Sequence, residues 1–182
     1  LAGRHLDYAQ TKSALGGILS GQVRPEWSAA LLIGQRMNIE NDEEVSAYLD
    51  VVLPAETVWQ LNIPSITHLG SPFDGSLRYF RPNIFIAAVR AALGRPTVLH
   101  GVDLMPPKNG ITDEQMLKYM GANVDISIEN GSRLLSRVGL VYISQRSYAP
   151  SLYELRDLRV HIAKRPPWST TEKAQQIYKC SG

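Results

Sequence analysis

Pro82-Asn83-Ile84-Phe85-Ile86-Ala87-Ala88-Val89-Arg90-Ala91-Ala92-Leu93-Gly94-Arg95-Pro96-Thr97-Val98-Leu99-His100-Gly101 is the stretch on which the fold turns. Proline suits a helix start, because the first turn leaves its N–H positions unbonded in any case. A strongly apolar helix is predicted over residues 83–93, and Gly94 stops it. Thr97-Val98-Leu99-His100 then reads as a buried strand, with Gly101 opening a loop that runs to Gly110. A helix feeding a short apolar strand is half of a parallel βαβ unit.

The same alternation continues downstream. Thr112 and Gln115 have the spacing of a capping box for a helix over residues 113–120, closed by Gly121. Ser127 caps a second helix ending near Gly139, and Leu140-Val141-Tyr142-Ile143-Ser144 is the clearest strand in the chain. Pro150 opens a helix over residues 151–163, which Arg165-Pro166-Pro167 breaks. Upstream, residues 63–69 read as a short strand and residues 70–75 as a loop. Before that, residues 11–24 suggest a helix and turn, Pro25 starts a helix, and Asn41 or Asp42 caps another that Pro54 ends. No strand signal occurs in about the first 60 residues. The expected architecture is α/β: a small N-terminal helical domain, residues 1–62, then part of an α/β domain with a mainly parallel sheet, residues 63–182.

Composition sets limits. A chain of 182 residues with 44% hydrophobic and 20% charged residues has the make-up of a soluble globular protein. The net charge of +2 gives no general argument for nucleic-acid binding. One region is more basic: Arg133, Arg137, Arg146, Arg156, Arg159, Lys164 and Arg165 face only Glu154 and Asp157. Such a run is either a solvated face or an anion or nucleic-acid site. Cys180 is the single cysteine, which excludes an intramolecular disulfide and a cysteine metal cluster and fits a reducing compartment. No apolar run approaches the roughly 20 residues of a membrane span, and no signal peptide is visible. The first residue is Leu1 rather than Met, so a targeting segment could have been lost with the start.

Three stretches carry a family resemblance. They are Gly21-Gln22-Val23-Arg24-Pro25-Glu26-Trp27 with the helices through residue 50, residues 70–121, and residues 139–165. In order and spacing they resemble the N-terminal half of the anthranilate phosphoribosyltransferase family, whose helical domain is shared with nucleoside phosphorylases. Met105-Pro106-Pro107-Lys108-Asn109-Gly110-Ile111-Thr112 and Ala163-Lys164-Arg165-Pro166-Pro167 look like a divergent branch associated with cyanobacteria and plastids. The family moves a phosphoribosyl group from phosphoribosyl pyrophosphate, with Mg2+, to an aromatic amine. Backbone N–H groups of a glycine-rich loop serve such chemistry because they approach phosphates closely.

Residue by residue, the resemblance implies a weakened site. The family loop Gly-Thr-Gly-Gly-Asp-Gly corresponds to Gly70-Ser71-Pro72-Phe73-Asp74-Gly75, where Gly70, Asp74 and Gly75 remain but Pro72 has no N–H. The family's Asn-Ile-Ser-Thr corresponds to Asn83-Ile84-Phe85-Ile86, which keeps Asn83 and loses both hydroxyls. Lys-His-Gly-Asn corresponds to Leu99-His100-Gly101-Val102, so His100 and Gly101 stay and the lysine is gone. Lys108 is the lysine of the following loop; Arg159 falls where the enzymes hold the carboxylate of anthranilate, and Arg165 where they keep a second arginine. Bland readings stand beside these: an ordinary turn, a structural histidine, a solvated lysine, and a surface salt bridge from Arg159 to Asp157 or Glu154. The family's His-Pro is Ala149-Pro150, and its metal-binding Asp-Glu pair lies beyond this region, so no metal ligands are assigned.

The resemblance therefore implies an anthranilate phosphoribosyltransferase-like chain with a degenerate phosphate loop, non-catalytic in this form and used as a binding or structural subunit. One alternative is an active phosphoribosyltransferase using Mg2+ and phosphoribosyl pyrophosphate; another is a nucleic-acid-binding member. Another protein chain, or self-association through the helices of residues 11–50, is the partner it implies, in plastid stroma or cytoplasm.

Overall fold

Side-chain caps decide where two of the first three helices begin. The computed structural model describes residues 3–162 and 164–180. Helix α1, Tyr8–Leu19, starts on Asp7, which accepts from the Gln10 amide while Gln10 reaches back to the Asp7 amide. It begins earlier than the expected residue 11, because that reciprocal cap holds its first turn. Helix α2, Pro25–Asn38, has its proline at the first position. Helix α3, Asp42–Val52, is capped by Asn41 and Glu44 in the same reciprocal way, and Asp42, Glu43 and Glu44 sit at its positive end.

Two short strands appear where no strand was expected. Strand β1, Trp59–Leu61, follows a 3-10 turn, Ala55–Thr57, and pairs in parallel with the last strand, Tyr178–Cys180. The main sheet has β2, Thr67–Ser71, β3, Thr97–Gly101, and β4, Leu140–Ser144, all parallel in the order β2-β3-β4. Between them run α4, Asn83–Ala92, α5, Asp113–Tyr119, and α6, Ile128–Val138. The Thr112–Gln115 capping box and the Ser127 cap are formed, and Gly139 closes α6 with φ 75°.

After β4 come α7, Gln145–Tyr148, α8, Pro150–Glu154, and α9, Arg156–Ile162. One helix over 151–163 was expected; Ala163 lies outside the described residues, and the rest is two helices. The break has a local cause. The Tyr153 carbonyl accepts from Arg156 Nε at 3.1 Å, in competition with the amide four residues on. Helix α10, Trp168–Thr171, a 3-10 turn, Glu172–Ala174, and β5, the strand Tyr178–Cys180, complete the order.

The largest buried cluster joins the helical segment to the sheet. Leu15, Ile18, Leu32 and Tyr48 share it with Val98, Val141, Ile143 and Trp168. Tyr48 and Trp168 meet edge to face with centroids 5.2 Å apart. Burying a side chain of this kind contributes about 1.5–3 kcal/mol, so the helices are held by shared apolar area. In the parallel register, Ser71, Gly101 and Ser144 stand side by side at the carboxyl end of the main sheet. Open α/β sheets bind ligands outside that end.

Candidate anion-binding site

The turn after β2 is built by close backbone packing. Pro72 offers no N–H, and the Phe73 amide donates back to the Ser71 carbonyl at 2.9 Å. The Asp74 carbonyl accepts from the Gly110 amide at 2.8 Å. Ser76 and Ile111 then exchange backbone bonds of 2.9 and 3.1 Å, which lock this turn to the loop after β3. Gly75 has φ 77°, and a Cβ there would lie 2.1 Å from the Gly110 carbonyl oxygen. At Gly70 a Cβ would meet the Lys173 carbonyl oxygen at 2.3 Å and the His100 ring at 2.8 Å.

Beside this turn lies a cleft of about 690 Å3. Asp74, Gly75, Lys108 and Arg165 line it, joined by Phe73, Arg78, Tyr79, Arg81 and Lys173. Asp74 is buried and takes two bonds from Arg165, Nε at 3.1 Å and Nη2 at 2.6 Å. Arg81 lies over the Phe73 ring, 3.7 Å from its centroid. Among the described residues, Arg78, Lys108 and Lys173 form no ion pair with a carboxylate. The cleft therefore presents unneutralised cations to solvent, the condition for attracting an anion.

The remaining sequence-derived residues lie behind this wall. Asn83 Nδ2 donates to Ser71 Oγ at 2.9 Å and to Asp113 Oδ2 at 3.3 Å, tying the start of α4 to the end of β2 and to α5. Gly101 is packed so that a Cβ would lie 3.1 Å from the Ser71 carbonyl oxygen and the Tyr142 hydroxyl. His100 is fully buried with Nδ1 3.1 Å from the Tyr148 hydroxyl, and its Nε2 has no hydrogen-bond partner among the described residues. Burial, aided by neighbouring His68, lowers its pKa to about 3, so the ring is neutral. Burial likewise takes His68 down to about 4.

Arg159 is sealed inside rather than exposed. Only 3% of it is accessible, and its guanidinium pairs with Glu172 and donates to Met105 Sδ at 3.3 Å. The carboxylate that meets it is Glu172, neither Asp157 nor Glu154. Burial lowers its pKa to about 10. Met105 lines the cleft, so Arg159 stands one side chain behind it. The basic stretch as a whole is largely satisfied within the chain. Arg133 pairs with Glu129, Arg146 with Asp103, Glu114 and Asp125, Arg156 with Asp103, and Arg165 with Asp74.

Sequence reasoning missed Arg78, Arg81 and Lys173. The first two sit in Leu77-Arg78-Tyr79-Phe80-Arg81, whose interleaved basic and aromatic residues were the available signal. Lys173 reaches the cleft through the 3-10 turn that packs on β2, for which no local signal exists. For Mg2+ the residues do not fit. Asp74 is the one carboxylate lining the cleft and is held by Arg165, and no group of three potential ligands occurs among the described residues. No helix among the described residues is long and apolar enough to cross a membrane.

The architecture is a helical segment followed by a parallel α/β layer, with a basic cleft at the strand ends. The model of the glycosyl transferase family, helical bundle domain, matches residues 1–53. Anthranilate phosphoribosyltransferase of Thermomicrobium roseum is 27% identical over 169 residues, covering 91% of this chain and 47% of its own length. That of Mycobacterium leprae is 28% identical over 156 residues, covering 82% and 42%. The crystal structure of the enzyme from Thermus thermophilus superposes with a TM-score of 0.81 at 17% identity, covering 98% of this chain and 55% of that one. The chain is thus similar to anthranilate phosphoribosyltransferases along most of its length, and its first 53 residues match the helical bundle domain of the glycosyl transferase family. It spans about half the length of the curated relatives it matches.

Proposed function

We propose that this chain is an anthranilate phosphoribosyltransferase-like binding or structural subunit that holds a phosphorylated anion in its basic cleft without transferring a phosphoribosyl group. The observation that carries this reading is the turn at residues 71–76. Pro72 has no amide to give, the Phe73 amide is spent on Ser71, and Gly75 is pressed against Gly110. Phosphoribosyl transfer needs fixed donors aimed at the charge that develops on the leaving pyrophosphate. Loss of one such donor costs about 100- to 1000-fold in rate. Arg78, Arg81, Lys108 and Lys173 supply positive charge in its place, the lysines as point charges and the arginines as planar forks.

The retained Gly70, Gly75 and Gly101 fit this reading without a catalytic role, because each faces a contact that a Cβ would disturb. The internal pairing of Arg133, Arg146, Arg156, Arg159 and Arg165 weakens the nucleic-acid alternative. The test is calorimetric titration of phosphoribosyl pyrophosphate, with and without magnesium, alongside an assay for phosphoribosyl anthranilate formation. Saturable binding that Arg81→Ala weakens, with no product, is the expected result. Turnover would restore the active-enzyme reading. No heat at millimolar ligand would remove the anion site.

A further inference from the structure

The cleft wall carries more than charge. Tyr79 lines it and is 80% exposed, although its backbone is fixed. Ser76 Oγ donates to the Tyr79 carbonyl at 2.6 Å, and the Tyr79 amide donates to Ser76 Oγ at 3.2 Å. Ser76 is in turn bonded on both backbone sides to Ile111. A two-bond turn thus displays an aromatic ring in the same cleft as Arg78, Arg81, Lys108 and Lys173, and no ring or cation contact involves Tyr79 among the described residues. The neighbouring Phe73 ring differs, because Arg81 already covers one of its faces at 3.7 Å.

A sugar pyrophosphate would use the cations and leave the Tyr79 face bare. A ligand with both phosphates and a planar ring would use both, since bases stack on aromatic side chains with little regard to their identity. The volume of about 690 Å3 is in the range of small-molecule sites and accommodates such a ligand.

We propose that the cleft takes a nucleotide, its phosphates against Arg81, Lys108 and Lys173 and its base against Tyr79. This rests on the reading of the cleft as a phosphorylated-anion site. The experiment compares two diphosphates, ADP and inorganic pyrophosphate, by titration calorimetry into the wild-type chain and into Tyr79→Ala, Tyr79→Phe and Arg81→Ala. ADP is expected to bind about tenfold tighter than pyrophosphate, the scale of one stacked base. Tyr79→Ala should abolish that advantage and leave pyrophosphate unchanged, Tyr79→Phe should keep it, and Arg81→Ala should weaken both ligands. Equal affinity for the two in the wild type, or an ADP advantage that survives Tyr79→Ala, overturns the nucleotide proposal and leaves the anion site standing. Failure of both ligands to bind overturns the site itself. Tyr79 is exposed, so its replacement does not put folding in question.

Discussion

The arginines of this chain occupy two contrasting settings. Around Asp103 and Glu114, both arginines have carboxylates from a distant part of the chain. Arg146 bonds Asp103 and Asp125 at 3.0 Å each and also Glu114, and Arg156 lies 3.5 Å above the Tyr153 ring while bonding Asp103. Partial burial alone would raise the Asp103 pKa, but the Tyr153 hydroxyl, the Leu104 amide and these two arginines together hold it below its usual value. In the cleft, Arg78, Lys108 and Lys173 line a common wall with no such partner among the described residues. Clustered positive charge therefore has two meanings. Where a buried carboxylate arrives it fixes the fold; where none arrives it is available to a ligand.

The contrast can be broken most forcefully at Glu172. Glu172→Ala leaves the Arg159 guanidinium buried without its counter-charge and should destabilise the chain by about 3–5 kcal/mol, read by urea denaturation. Replacing both residues with apolar ones, Arg159→Met with Glu172→Leu, should recover most of that loss. A mild effect of the single change would mean that Arg159 reaches solvent or ligand. Next comes Gly70→Ala, which forces a methyl against the Lys173 carbonyl and the His100 ring and should cost about 1–3 kcal/mol. An unaltered midpoint would free Gly70 for the phosphate role that its position in the loop implies.

The buried histidines sharpen the comparison through pH. His100 and His68 have native pKa values lowered to about 3 and about 4, against 6.5 unfolded. Between those limits the unfolded chain binds more protons, so stability is full above pH 6.5 and falls as the medium is acidified toward pH 4. For His100 the loss between about pH 7 and about pH 5 should be about 1–2 kcal/mol, seen as a fall in melting temperature that His100→Gln reduces to the share left by His68. The smallest effect belongs to the cleft. Arg81→Ala and Lys108→Ala should leave stability within about 0.5 kcal/mol of wild type while reducing pyrophosphate affinity. Substantial destabilisation would place those cations with the structural arginines.

Legibility in the sequence followed the range of each signal. Thr112 with Gln115, Ser127 and Gly139 act within a turn, and the structure uses each where the sequence indicates; of the two caps offered, Asn41 and Asp42, it uses Asn41. The strand Leu140–Ser144, mostly apolar, is equally plain. By contrast, Trp59–Leu61 and Tyr178–Cys180 become strands only because they find one another, which three residues cannot announce. At the site, reading through the family motif drew attention to Gly70, His100 and Arg159, which are packing or buried groups. The cleft cations Arg78, Arg81 and Lys173 fell outside the motif. The partner of Arg159 was hidden for a similar reason: Glu172 returns to it across the Arg165-Pro166-Pro167 break.

That pairing of β1 with β5 also orders events in time. As the polypeptide leaves the ribosome, residues 59–61 emerge long before residues 178–180, and no other strand among the described residues pairs with β1. The helices and the three-stranded sheet can form while synthesis proceeds, but this second seam closes only after its later strand arrives. A nascent chain paused before residue 178 therefore carries an unsealed edge along a strand that the finished molecule covers.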